Sequence, residues 1–311
     1  MFTSILVPVD GSGLSEAALT VAVPLARQYN AELHVVTVQA PPPRLSGSGG
    51  APVTDTLFDV ERRQAAMEYL TQLGARISAE ADGVRIHTER LEGRVADALA
   101  DRVTEHPHDL VVMTTHGHRG ASRRWLGNVA DSLVRMSPAP VLLLTDASLG
   151  ATPAGAPPFA NVLVPIAPTE ESEEILSDAI ALAGVAASYL LFAVVEPLPF
   201  LPRSPLDLMS VTDAAGEESH APRSEFDVAV AHLDELAAAL RRRGLTVHTS
   251  VAIHRHPAEA ILAQAAELSS PLIAMFTRGH GSTRRFFLGS VTDKVLRGSS
   301  VPVLLRAPDR S

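Results

Sequence analysis

The chain has 311 residues, 46% of them hydrophobic and 20% charged, and carries a formal net charge of −9. That length and balance suit two globular domains of about 150 residues each, and the acidic excess without a long basic run argues against a protein that coats DNA or RNA. The complete lack of cysteine excludes disulfides, thiolate chemistry and Cys-based zinc sites.

In chain order, Met1–Ser4 carries neither a basic n-region nor an apolar h-region, so no signal peptide is expected. Residues 3–9 form a continuous apolar run, the pattern of a parallel strand buried on both faces. Residues 15–29 carry apolar positions at helical spacing behind Ser12 or Ser15, either of which can cap a helix. A strand follows at 32–38, then a Pro/Gly/Ser-rich interruption from Pro41 to Thr54 that reads as a long loop. A helix at about 57–80, a strand at 84–90, a helix at 95–105 and a strand at 110–114 come next. A helix at 129–135 and a strand at 141–144 close the series. The order βαβαβαβαβ predicts a five-stranded parallel sheet with helices on both faces.

Asp146–Ala160 is rich in Ala, Gly and Pro and reads as a linker, after which the pattern begins again. Ile5–Val9 recurs as Val162–Ile166, and His34–Val38 is matched to Leu191–Val195. Gly117–Leu144 aligns without gaps to Gly279–Arg306, with Leu126, Gly127, Val129, Asp131, Arg135, Ser137 and Pro140 kept in the second copy. The second copy has its own interruption at Pro197–Arg223. The expected layout is a first domain over 1–146, a linker over 147–160 and a second domain over 161–311. No apolar stretch approaches the roughly 18 residues that span a bilayer, so no membrane partner is expected and the chain reads as cytoplasmic.

Ligands of open parallel sheets collect outside the carboxyl ends of the strands, where the strand order reverses. Two segments of the first copy belong to that rim: Val9-Asp10-Gly11-Ser12, and Thr114-Thr115-His116-Gly117 leading to Gly127-Asn128-Val129 at a helix start. Glycines let backbone approach a phosphate, and a helix amino terminus supplies N–H donors. Arg119–Arg124 adds cationic charge nearby.

An early strand ending in Val9-Asp10, joined to a glycine, nine residues and a second glycine, resembles the universal stress protein family over nearly the whole chain, as two tandem domains. The resemblance implies Rossmann-like (adenine nucleotide alpha hydrolase-like) α/β domains that bind ATP or another adenine nucleotide, with Mg2+ held mainly by the phosphates. It implies that Asp10 and Val38 contact the adenosine, while Gly117, Gly127, Asn128 and Val129 hold ribose and phosphates. Thr114 stands where the family's nucleotide-binding branch has its first glycine, and Asn128 where it has Ser or Thr. The second copy keeps Gly279, Gly289 and Ser290, but Phe276 replaces the first glycine and Ala167 replaces the acid. Its site is expected to be impaired, with Phe276 crowding the cleft. The resemblance also implies an internal pseudo-dimer through the last strands, Val141–Leu144 and Val301–Leu305, with further assembly into a homodimer open.

Asp131 and Arg135, four apart, predict a helical ion pair. The pairs His106/His108, His116/His118 and His254/His256 lack the spacing of a zinc-binding helix, so no metal site is expected from them. No Walker lysine, nucleophile elbow or dinucleotide fingerprint is present, and any ATP hydrolysis should be slow. Two functions follow: a stress-response regulator that binds nucleotide, or a nucleotide-independent dimerisation and interaction module. A flavin- or AMP-binding relative is a third.

Overall fold

In a computed structural model, which describes residues 2–41, 56–105, 110–115, 127–149, 159–167, 170–197, 224–269, 271–277 and 289–308, the apolar runs become strands and the amphipathic stretches become helices. The first half runs β1 (Ser4–Pro8), α1 (Gly13–Ala17), α2 (Leu19–Tyr29), β2 (Glu32–Gln39), α3 (Thr56–Glu80), β3 (Ile86–Glu92), α4 (Val95–Glu105), β4 (Leu110–Thr114), α5 (Asn128–Met136) and β5 (Val141–Leu144). A one-turn helix, α6 (Asp146–Leu149), follows. The second half repeats the scheme: β6 (Asn161–Pro165), a short 3-10 turn at Glu170–Glu173, α7 (Ile175–Ala183), β7 (Ser188–Val195), α8 (Glu225–Arg242), β8 (Thr246–Ile253), α9 (Pro257–Ala266), β9 (Pro271–Phe276), α10 (Ser290–Gly298) and β10 (Val303–Arg306).

The local chemistry accounts for several boundaries. Ser12 caps α1 by accepting from the Ser15 N–H. The helix expected over 15–29 is interrupted at Ala18, giving α1 and α2, and α2 ends where Asn30 takes the left-handed conformation at φ 53°. In the second half Ser224 and Asp227 form a capping box at the start of α8. β3 sits two residues later than expected, and the linker opens with α6 instead of irregular chain.

All ten strands join one sheet in the order β3-β2-β1-β4-β5-β10-β9-β6-β7-β8. Pairing within each half is parallel. The halves meet where β5 and β10 run antiparallel, with Val303 opposite Leu143, Leu304 opposite Leu142 and Leu305 opposite Val141. The final strands therefore satisfy each other's edges, which is the expected pairing. Helices cover both faces and create two core layers. One contains Ile5, Val7, Leu33, Val35, Leu142, Tyr189, Leu191 and Leu304; the other contains Leu6, Val36, Leu99, Leu133, Leu143, Phe192 and Leu305. Both layers run through the β5–β10 junction.

One sequence correspondence is corrected by the sheet. Ile5 pairs with Leu33, whereas its counterpart Val162 pairs with Tyr189. The residue equivalent to His34 is thus Leu190, not Leu191. Val36 and Phe192 then share one core layer, and Val35 and Leu191 the other. Since strand side chains alternate between faces, a slip of one residue would have turned every one of them over.

Candidate functional site

Between β1 and β4 the strand order turns back: β2 lies on one side of β1 and β4 on the other. This is the crevice of the first half, and Asp10 emerges on its rim. The Val9 N–H bonds to the Val36 carbonyl at 2.8 Å, anchoring the chain just before Asp10. Gly11 then takes φ 81°, a region open to glycine at little cost.

The exposed Asp10 side chain organises this turn. Its Oδ1 accepts the Ser12 N–H at 3.0 Å and also the Ser12 hydroxyl, while its own N–H donates to Ser15 Oγ at 3.1 Å. The first of these bonds is an Asx turn. Asp10 therefore has a structural task, holding the loop that starts α1, at the same position where the family resemblance puts a ligand contact.

Across the crevice, Thr114 and Thr115 are buried, and the Thr115 N–H bonds to the Leu144 carbonyl at 2.9 Å. The Thr115 carbonyl accepts the Gly127 N–H at 2.8 Å, which holds Gly127 at the rim. Gly127 caps α5, accepting the Asp131 N–H at 2.9 Å. The next amides, from Asn128 onwards, belong to the first turn and have no intrahelical acceptor, the arrangement that favours an anion. Asn128 is exposed there, and Val129 is half-buried beside the second core layer. Val38, near the end of β2, is half-buried on that same face, opposite Leu91 of β3. Asp131 and Arg135 form the expected helical ion pair at 2.6 Å. Gly117, Gly279, Arg119–Arg124, Arg284, Arg285 and the pairs His106/His108 and His116/His118 lie outside the described residues.

The second half repeats the frame with different chemistry. Gly289 caps α10 and accepts the Asp293 N–H at 2.9 Å, with Ser290 exposed behind it. Ala167 follows β6 at the position of Asp10, and its carbonyl accepts the Ser172 hydroxyl at 2.7 Å. Phe276 does not crowd the crevice: its ring is buried in the first core layer. β9 alternates its side chains between the layers, and the position of Phe276 falls on the same face as Leu272 and Ala274.

One group near Asp10 escaped the sequence reading. The Tyr69 hydroxyl on α3 donates to Glu16 Oε1 at 2.9 Å, and Glu16 Oε2 pairs with Arg76. Burial pushes the Tyr69 phenol far above its usual pKa, helped by the Glu16 and Asp10 carboxylates. α3 is thereby tied to α1, next to the rim. Tyr69 and Arg76 are far from Glu16 in the chain, and no spacing rule links them.

The sequence pattern of the Universal stress protein family matches residues 1–145 and again residues 158–305. The chain belongs to the universal stress protein family. Among curated relatives, a universal stress protein of Methanocaldococcus jannaschii is 32% identical over 146 residues, covering 46% of this chain and 82% of the relative. The universal stress protein YxiE of Bacillus subtilis is 31% identical over 147 residues, 46% of this chain and 99% of its own length. Each relative corresponds to about one copy. A solved universal stress protein from Archaeoglobus fulgidus spans both copies: it covers 98% of this chain and 96% of its own, with a TM-score of 0.64 and 21% identity. That likeness is one of fold, and it extends over the tandem arrangement. No helix among the described residues is long and apolar enough to cross a membrane.

Proposed function

We propose that this universal stress protein is a cytoplasmic stress-response regulator that binds ATP or another adenine nucleotide, chiefly in its first copy, and hydrolyses it slowly at most. Asp10 and Val38 would receive the adenosine, and Gly117, Gly127, Asn128 and Val129 the ribose and phosphates. In the second copy Gly279, Gly289 and Ser290 retain the phosphate end, whereas Ala167 removes the acid. The observation that carries this reading is the shared rim: the β1–β4 pairing brings the Asp10 turn beside the strand whose carbonyl at Thr115 anchors Gly127 and the amino end of α5. A carboxylate acceptor and a set of amide donors then border one crevice, a fit to a ligand with hydroxyls at one end and phosphates at the other. Mg2+ would be held mainly by the phosphates. We take the domains as 1–146 and 161–311, joined by 147–160, and the β5–β10 pairing as an internal pseudo-dimer that leaves a homodimer of chains open.

The test is equilibrium titration of the full chain with labelled ATP. Saturable binding by the wild type, weakened in Asp10→Ala and little changed by substitutions at Ser290, supports the reading. No saturable binding below millimolar ATP sinks it.

A second reading, a nucleotide-independent interaction module, draws on the Asx turn at Asp10, which gives that carboxylate a structural use of its own. Native mass spectrometry separates the two, because a co-purifying adenine nucleotide contradicts the second.

A further inference from the structure

At the opposite rim of the first copy, near the amino ends of β2 and β3, three metal-ligating side chains converge. His34 and His87 are direct cross-strand partners in the parallel β2–β3 pair, and Glu32 lies two residues before His34 on the same face. The imidazoles stack with centroids 4.8 Å apart and planes 20° apart. Both Nε2 atoms stand 3.6 Å from a single oxygen, Glu32 Oε2. One ligand atom from each of the three lies within 4.8 Å of the others. The other carboxylate oxygen, Oε1, is held by Arg85 Nε at 3.2 Å, which fixes the carboxylate with Oε2 toward the histidines.

We propose that Glu32, His34 and His87 form a binding site for a divalent transition ion of the zinc class. Two imidazoles and a carboxylate are a recognised donor set for such an ion, with a fourth position for water. Metal–ligand bonds of about 2.0–2.1 Å at the tetrahedral angle put donor atoms about 3.3 Å apart. The two nitrogen–oxygen separations of 3.6 Å need to close by a few tenths of an ångström, and the imidazole nitrogens, within 4.8 Å of each other, close by rotation of the more exposed His87. His34 is two-thirds or more covered by its surroundings, while His87 and Glu32 open to solvent, so an ion has an approach. Arg85 bonding Glu32 acts as the outer partner that orients a ligand.

The site is confined to the first copy. The corrected register puts Leu190 opposite His248 where His34 stands opposite His87, and Ser188 at the position of Glu32. One ligand of three survives. An ion here would also join β2 to β3, the terminal strand of the sheet.

The test uses the full chain without a histidine tag, titrated with Zn(II) against a chromophoric chelator and melted with and without Zn(II). His34→Leu reproduces the residue of the second copy, and His87→Gln and Glu32→Gln preserve size. The double variant His254→Gln/His256→Gln is the control for another exposed histidine pair. One Zn(II) per wild-type chain is expected, with affinity reduced by about 10-fold or more in each site variant and unchanged in the control. Zn(II) should raise the melting temperature of the wild type and the control but not of the site variants. No saturable uptake by the wild type, or equal affinity in His34→Leu and His87→Gln with melting unchanged in the absence of metal, overturns the proposal. The ATP titration is read separately, so failure of either assignment leaves the other standing.

Discussion

The Tyr29 hydroxyl in the first copy donates to the Leu182 carbonyl in the second at 2.6 Å. Its ring meets Phe2 edge to face, with centroids 5.7 Å apart. Leu182 lies in the last turn of α7, where carbonyls lack intrahelical donors, so this bond satisfies a group that would otherwise need water. Tyr29→Phe keeps the ring and removes this bond, together with the longer one the hydroxyl accepts from Gln28 Nε2 at 3.2 Å. It should cost about 0.5–1.5 kcal/mol in urea unfolding, and no change in midpoint would show that water replaces the tyrosine.

The chain has three tyrosines, and burial raises the pKa of all three, Tyr29, Tyr69 and Tyr189, above the ordinary value of 10.0. A phenol whose pKa rises on folding contributes stability that is complete below the unfolded value and lost as pH climbs through the folded one. Stability should therefore fall above about pH 10, and phenolate absorbance should lag behind that of denatured chain. Native protein that ionises a tyrosine at the ordinary value would contradict the packing around it.

Different substitutions separate the structural task of Asp10 in its turn from its proposed contact with nucleotide. Asn at this position can still accept the Ser12 N–H and keep the Asx turn, since Asn and Asp share that geometry. Asp10→Asn should melt close to the wild type, whereas Asp10→Ala should lose about 1 kcal/mol of stability with the turn. If the carboxylate also binds nucleotide, both variants should lose ATP affinity by roughly 10-fold. Unchanged affinity in Asp10→Asn would confine the residue to the turn.

Leu142 and Leu304 sit opposite each other at the junction, both fully buried. Leu142→Ala and Leu304→Ala should each cost about 2–5 kcal/mol in chemical denaturation. Because the two side chains are direct neighbours, the double variant should depart from the sum of the singles. Strict additivity would mean the two halves unfold without sensing each other.

The alternation of elements and the repeat were readable because each strand is a separate apolar run and the copies share Gly127, Asp131, Arg135 and Pro140. The register of the second strand was not. Leu191–Val195 is a continuous apolar segment, and His34–Val38 has adjacent Val35 and Val36 both buried, so neither carries the alternation that pins one residue to one side. Only the pairing of Val162 with Tyr189 fixes it. The crevice was legible through Asp10, which sits next to a strand end in the sequence, and Gly127, which sits next to a helix start. The Glu16–Tyr69–Arg76 network and the Glu32–His34–His87 cluster were hidden for a common reason. Each joins residues from different elements, and their meeting depends on helix packing or cross-strand register, quantities that no local spacing encodes.

The antiparallel seam of β5 and β10 has a bearing on inheritance as well as on packing. In an assembly of two identical chains, every substitution is made twice, and a change that spoils one site spoils its mate. Covalent fusion of the halves releases them from that symmetry. Ala167 can stand where its counterpart is Asp10, and Leu190 where its counterpart is His34, without either change appearing in the first copy. One polypeptide can thus specialise its two halves independently while keeping the single sheet that joins them.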